Sequence, residues 1–280
     1  MKKIGLLGES IQHSISPALH AAAFNSLNLD HEYVVWDIDN NSLQSFIDEI
    51  QQKSIDGFNI TIPHKQSIMQ YLDIIDPVAE SIGAVNTVIN KNGLLTGYNT
   101  DLYGITKTFD LLGEDLIGKK VVLIGAGGAA KSIVYYLSSI HIESLSVINR
   151  SIDRAKDMFE ENQDGNAPPI YAFGEEASNV ITNADIIINA TPYGMSGSSV
   201  ANELPPMDLH LSKKHLVFDL VYNPIMTPLL QLIKDAGGRY AGGLHMLVYQ
   251  AAKSFEIWNN VEPDIEAMIN AGQKALEKEN

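Results

Sequence analysis

The run VVLIGAGGAA, from Val121 to Ala130, constrains this chain more than any other stretch. Aliphatic residues lead into a glycine-rich turn, and a segment of small residues follows. Gly125, Gly127 and Ala130 fit the spacing G-x-G-x-x-A. The first glycine permits a tight turn, the second lets backbone approach a pyrophosphate, and the small third residue lets the next helix pack close to the strand. The N-terminus of that helix then offers free N–H groups and the positive end of a dipole to an anion. Such turns also occur between strands and helices that bind nothing. Here a strand pattern precedes the turn, a helix pattern runs from Ala129 to Ser139, and a second strand follows from Ser144 to Asn149. We expect a dinucleotide site.

The residues after that second strand select the cofactor. Sites for NAD place an acidic residue there, about 20 residues past the glycines, to bind ribose hydroxyls. This chain has Asn149-Arg150-Ser151. A carboxylate would repel a 2′-phosphate, whereas Arg offers it a charged planar fork and Ser a hydroxyl. The expectation is NADP. The alternative is a solvated Arg at a helix start, with Ser151 as the N-cap of the next helix.

A length of 280 residues suggests two domains or one large one, and a hydrophobic content of 45% is ample for buried cores. The absence of cysteine excludes disulfide frameworks, zinc–thiolate sites and cysteine nucleophiles. It fits a reducing compartment, and we place the protein in the cytoplasm. The start, MKKIGLLGES, reads as a first strand, since its apolar run is too short for a signal segment. No apolar stretch approaches the length of a membrane-spanning helix. The net charge of −15 argues against nucleic acid and anionic membranes as partners. No metal site is expected.

Apolar bursts alternate with amphipathic helical patterns, which points to α/β architecture with mostly parallel strands. Strands are expected at Lys3–Leu7, Glu32–Trp36, Gly57–Ile60, Val85–Asn90 and Leu94–Tyr98, with helices near Pro17–Leu27, Ser42–Gln52 and Pro77–Ile82. Asn40-Asn41-Ser42 reads as a capping cluster for the second helix. Asn92-Gly93 reads as a hairpin turn, giving one antiparallel pair at the sheet edge. A helix over Leu102–Leu112 leads into the strand before the glycine turn, and further strands are expected at Asp185–Asn189 and His215–Leu220. Gln163–Pro169 and Met195–Pro206 read as loops, the second near the cofactor. Helices at Gly243–Trp258 and Pro263–Lys278 close the chain.

Hydride transfer from a nicotinamide to a carbonyl needs a donor for the oxygen that becomes an alkoxide. The candidate is Lys65 in FNITIPHK, read as opening a helix, where the dipole disfavours a cation. A surface Lys after a turn is the alternative. Asp101, in TGYNTD, is either a second catalytic candidate or a helix-start carboxylate. Ser14 and Ser16, in QHSISP, either mark a helix start before Pro17 or present hydroxyls to a substrate carboxylate.

In combination these motifs resemble one family, the shikimate dehydrogenases. HSISPALH, DGFNITIPHK, GAVNT, GYNTD, GAGGAAKS, NRS, NATPYGM, FDLVYNP with TPLL, and GGLHMLVYQAA occur in the family's order and cover essentially the whole length. The resemblance implies that Lys65 exchanges a proton with the substrate oxygen and that Asp101 is its partner. Ser14 and Ser16 would hold the substrate carboxylate, with Tyr222 nearby. Asn59, Thr61, Asn86 and Gln250 would hold ring hydroxyls. Gly125, Ala126, Gly127, Gly128 and Ala129 would approach the pyrophosphate, and Asn149, Arg150 and Ser151 the 2′-phosphate. Thr191, Val221, Gly243 and Met246 would line the nicotinamide pocket. His245 and Ser151 depart from the family's usual small residue and Thr, and His13 reads as structural.

The implied architecture has two α/β domains about a cleft. Residues 1–102 plus 238–280 would bind substrate, and residues 103–237 would form a Rossmann domain for NADP. The implied reaction is reversible NADPH-dependent reduction of 3-dehydroshikimate to shikimate, by a monomer or homodimer. An NAD-dependent quinate/shikimate dehydrogenase is one alternative, and a non-catalytic NADP-binding regulator on the same scaffold is another.

Overall fold

The apolar bursts become two six-stranded sheets, each covered by helices. The structure, a computed structural model, describes residues 1–50, 53–159 and 167–279. Gln163–Asn166 of the expected polar loop lie outside the described residues, as do Gln51 and Gln52. Two units are present, Met1–Ile105 with His245–Asn280, and Thr106–Leu244.

The first unit begins β1 (Lys2–Gly8), α1 (Ser16–Ser26), β2 (His31–Asp37), α2 (Leu43–Glu49) and β3 (Gly57–Ile60). It continues through β4 (Ile74–Ile75), α3 (Pro77–Ile82), β5 (Thr87–Lys91), β6 (Leu94–Tyr98) and the start of α4 (Asp101–Leu112). Strand order is β2-β1-β3-β5-β6-β4, with β1 parallel to β2 and β3. Asn92 and Gly93 have φ of 56° and 90°, as a two-residue hairpin turn demands. The antiparallel pair is not at the edge, however. β5 runs antiparallel to both β3 and β6, and β4 lies outside β6. At two residues, β4 is too short to carry a period-2 signal.

Two local expectations need correction. Of the Asn40–Ser42 cluster, Ser42 does hold the N-cap position of α2 but makes no side-chain cap bond; the cluster forms a 3₁₀ turn, itself capped by Asp39, whose side chain accepts from Ser42 N at 2.9 Å. Lys65 opens no α-helix. It sits in a turn before a 3₁₀ helix at Ser67–Tyr71. Its carbonyl accepts from Val85 N at 2.8 Å, while Met69 N goes to Gln66 O, so no i→i+4 ladder starts there.

The second unit holds β7 (Lys120–Ile124), α5 (Gly128–Ser138), β8 (Ser144–Ile148), α6 (Ile152–Lys156) and β9 (Ile170–Tyr171). Then come α7 (Glu175–Asn183), β10 (Ile186–Asn189), β11 (Leu216–Asp219), α8 (Pro228–Asp235) and β12 (Arg239–Gly242). All strands are parallel in the order β12-β11-β10-β7-β8-β9. β10 and β11 are buried along their whole length, as expected of central strands covered on both faces. β7 lies between β8 and β10, so the glycine turn sits at the switch point where ligands bind such sheets. Residues 239–242, expected with the terminal helices, pair with β11 instead, from Arg239 opposite Leu216 to Gly242 opposite Asp219. The chain then forms α9 (Gly243–Asn259) and α10 (Ile265–Glu279) and rejoins the first unit at His245. α10 packs on α1.

Candidate functional site

In the first unit, a hydrogen-bonded network gathers residues from four parts of the chain. Asp101 is the first residue of α4, where the helix dipole favours a negative charge. Lys65 Nζ lies 2.6 Å from Asp101 Oδ2, with side-chain exposures of 15% and 5%. Asp101 Oδ1 accepts from Asn86 Nδ2 at 2.9 Å. That amide nitrogen also faces Gln250 Oε1 at 3.1 Å, and Asn86 Oδ1 accepts from Thr100 N at 2.7 Å. The pair is therefore oriented by buried amides, while the Lys65 side chain keeps some exposure. This explains Lys65 better than a solvated turn residue, because such a residue has no reason to meet a buried carboxylate.

Asn59, at 5% exposure in β3, donates to Ser254 Oγ at 2.9 Å and to Thr87 Oγ1 at 3.1 Å. Its Oδ1 accepts from Tyr33 OH at 2.8 Å. Gln250 and Ser254 are four residues apart on α9, which puts them on one face. Burial raises the Tyr33 phenol well above its usual value, with the Ser16 hydroxyl pulling the other way. Ser14 Oγ donates to Ser16 Oγ at 3.1 Å and accepts from Ser16 N at 3.2 Å. Ser14 precedes α1 and Ser16 opens it; that helix has no side-chain cap and no acidic residue in its first turn, an arrangement that suits an anion. Thr61 follows β3, its N–H bonded to Leu7 O at 2.9 Å.

Four members of this network had no role in the sequence reading: Tyr33, Thr87, Thr100 and Ser254. Thr87 and Thr100 stand inside the quoted motifs GAVNT and GYNTD, and Ser254 is one helical turn past Gln250. Tyr33 carries no local signal.

The second unit holds the nucleotide-type residues. Gly125 has φ +115°, and a Cβ there would lie 2.9 Å from Ala190 O, so both conformation and space require glycine. A Cβ on Gly127 would meet nothing within 4 Å, which leaves that face open to a ligand. Gly127 is the N-cap of α5, which has no side-chain cap and no acidic residue in its first turn. Gly128 and Ala129 open the helix, Ala126 is buried beside it, and Ala130 is fully buried. These features fit a pyrophosphate.

Asn149, Arg150 and Ser151 follow β8, with Arg150 and Ser151 exposed. Asn149 Nδ2 donates to Ser151 O at 2.7 Å, and Ser151 caps α6 by accepting from Arg154 N at 3.3 Å. Ser151 thus does serve as an N-cap, and Arg150 keeps its guanidinium toward solvent. Thr191 follows β10 and Val221 follows β11, with half-buried Tyr222 next to it. Gly243 N donates to Val221 O at 3.1 Å, and a Cβ on Gly243 would lie 2.0 Å from Leu220 O. Met246 belongs to the first unit, buried on α9, where its carbonyl meets the backbone of Gly104. His245 and His13 are exposed. Among the described residues no group of three His, Asp or Glu could hold a metal, and no helix is long and apolar enough to cross a membrane.

Three family profiles match the chain. They are the shikimate dehydrogenase substrate-binding domain at residues 6–88, shikimate/quinate 5-dehydrogenase at 106–220, and the shikimate 5′-dehydrogenase C-terminal domain at 243–271. A shikimate dehydrogenase (NADP+) of Caldanaerobacter subterraneus subsp. tengcongensis is 40% identical over 258 residues, 92% of this chain and 91% of that protein. A crystal structure of a shikimate dehydrogenase in complex with NADP+ superposes with a TM-score of 0.87 at 37% identity, covering 99% of this chain and 96% of the other. The shikimate 5-dehydrogenase of Thermus thermophilus, solved with NADP(H) and shikimate, gives a TM-score of 0.81 at 34% identity, covering 99% of this chain and all (100%) of the other.

Proposed function

The chain belongs to the shikimate dehydrogenase family, and from that premise we propose how its residues carry out the reversible NADPH-dependent reduction of 3-dehydroshikimate to shikimate. It is an NADP-dependent oxidoreductase of the shikimate pathway, in which bound NADPH supplies a hydride to the substrate carbonyl carbon. The observation that carries the residue roles is the partly buried contact between Lys65 and Asp101.

In reduction, the Lys65 ammonium gives a proton to the oxygen that becomes a hydroxyl; in oxidation, the neutral amine takes it back. A proton donor held against a developing alkoxide contributes about 10²–10⁴-fold to rate. Asp101 holds the ammonium and accepts from a ring hydroxyl. Asn59, Thr61, Asn86 and Gln250 fix further hydroxyls, and Ser14 and Ser16, with Tyr222, hold the carboxylate. A ring lacking one of those hydroxyls leaves a buried amide unpaired, which is how the site selects its substrate.

The first unit is the substrate domain in this reading and the second the NADP domain. Gly125 to Ala129 take the pyrophosphate, Asn149 to Ser151 take the 2′-phosphate, and Thr191, Val221, Gly243 and Met246 surround the nicotinamide. The proposal includes a cytoplasmic location and a monomer or homodimer, both resting on the family resemblance. The test follows NADP+ reduction by shikimate through absorbance. Wild type turns over, and Lys65→Ala does so about 10²–10⁴-fold more slowly. A Lys65→Ala protein with wild-type turnover removes the assigned role.

A further inference from the structure

Asn189 and Asp219 are register partners at the last positions of β10 and β11. Asp219 is wholly buried and meets three donors. Its Oδ1 accepts from Asn189 Nδ2 at 2.9 Å and from Val221 N at 3.1 Å. Its Oδ2 accepts from Thr227 Oγ1 at 2.6 Å. The bond from Asn189 Nδ2 fixes that amide so that its Oδ1 faces the next turn. There it accepts from Thr191 N at 3.1 Å and Thr191 Oγ1 at 2.5 Å. Thr227 in turn caps α8, accepting from Leu230 N at 3.2 Å. Asp219 has no ion-pair partner among the described residues.

We propose that Asp219 is a positioning residue for the nicotinamide end of the cofactor site, acting through the two turns that carry Thr191 and Val221. The inference rests on the reading above, in which those residues line the nicotinamide pocket. The choice of residue supports it. A carboxylate without a cation is an expensive group to bury. What it provides here is acceptor capacity alone: an N–H, an O–H and an amide N–H converge, and only an acceptor-only group meets all of them. An asparagine of the same shape has one acceptor oxygen and would turn a donor toward Thr227, whose hydroxyl would have to reverse. The carboxylate holds both turns in one arrangement, as hydride transfer needs near-attack geometry.

The test uses Asp219→Asn, with Asn189→Ala as a second variant that cuts the link from Asp219 to Thr191 and leaves the Val221 and Thr227 bonds to Asp219 in place. Two measurements are made beside thermal stability at pH 8. The first is steady-state oxidation of shikimate by NADP+, with the deuterium isotope effect on the transferred hydrogen. The second compares binding of NADPH with binding of 2′-phospho-ADP-ribose, which lacks the nicotinamide. Asp219→Asn should lower kcat by about 10- to 100-fold with a larger isotope effect. The KM for shikimate should stay near wild type, and melting should stay at or above the wild-type temperature. Both variants should bind NADPH more weakly while binding the fragment as wild type does. Equal weakening toward NADPH and the fragment, an unchanged isotope effect, or activity lost only in proportion to stability would overturn the inference. A wild type that binds NADPH but leaves shikimate unoxidised defeats the functional reading alone, since the two binding measurements still decide the role of Asp219.

Discussion

Lys65 Nζ stands 2.6 Å from Asp101 Oδ2, and the other Asp101 oxygen takes a 2.9 Å hydrogen bond from Asn86. The carboxylate is thus held from both sides by the protein's own side chains. Its two holders come from separate turns of the same unit, one after β3 and one before β5. In the proposed mechanism, such preorganisation means the proton-transfer group need not be assembled during the reaction.

In the proposed mechanism, Lys65→Ala removes the transferred proton's carrier but leaves the amides and hydroxyls assigned to the ring. Turnover of shikimate with NADP+ should fall by about 10²–10⁴-fold, with a much smaller change in substrate binding. Initial rates over a range of shikimate concentrations separate the two. A variant that raises KM while keeping kcat would show that Lys65 binds without transferring a proton.

Local pattern made some of this legible and left the rest dark. The glycine turn was readable because a left-handed backbone and a crowded Cβ position both demand glycine at Gly125. The Lys65–Asp101 contact joins residues 36 apart, and no periodicity links them. Only the ordered set of motifs pointed there. Tyr33 sits in β2 among partly buried neighbours and reads as packing. β4 and β9, two residues each, fall below the length at which alternation means anything. Asp219 lay inside a quoted motif yet gained no role, because its importance comes from donors supplied by three segments.

Tyr33→Phe should show that the unread tyrosine matters. It strips the donor from Asn59 Oδ1 and leaves a buried acceptor unpaired, a loss of about 1–3 kcal/mol. The Asn59 amide then loses one of the bonds that fix its orientation. Urea unfolding should register the lost stability, and KM for shikimate should rise more than KM for NADP+. If stability falls while both KM values stay put, Tyr33 is a packing residue only.

Arg150→Ala addresses cofactor choice. Arg150 is exposed and follows β8, where Asn149 stands in place of the carboxylate of an NAD site. Loss of a charge-assisted contact of this kind weakens binding by about 10-fold or more. KM for NADP+ should rise accordingly, while KM for NAD+, which lacks the phosphate, should not move. A parallel rise for both cofactors would remove the guanidinium from phosphate recognition.

Two buried groups should give stability opposite slopes against pH. His20 is fully buried and stacks on Tyr33 at 4.3 Å, and neither ring nitrogen reaches a hydrogen-bond partner. Burial holds its pKa down to about 3 from an ordinary 6.5, with the Asn59 side chain opposing. As pH falls below 6.5, the unfolded chain protonates this ring and the native one does not, so stability drops, and the loss continues to about 3. Burial pushes the Asp219 carboxyl up to about 6 from 3.8, against hydrogen bonds from Thr227, Val221 and Asn189. Here the native state protonates first. Its contribution is complete below 3.8 and is lost as pH rises through about 6. Each slope is about 1.4 kcal/mol per pH unit, so between about pH 4 and 6 the two cancel. His20→Phe keeps a ring in the stack and leaves Asp219 unopposed. Relative to wild type, its stability should climb by about 3 kcal/mol as pH falls from 6 to 4. Asp219→Asn should do the reverse, losing about 3 kcal/mol over the same interval. Urea unfolding at pH 4, 5, 6 and 7 checks both, and variants whose curves run parallel to wild type would show that neither group titrates as its burial requires.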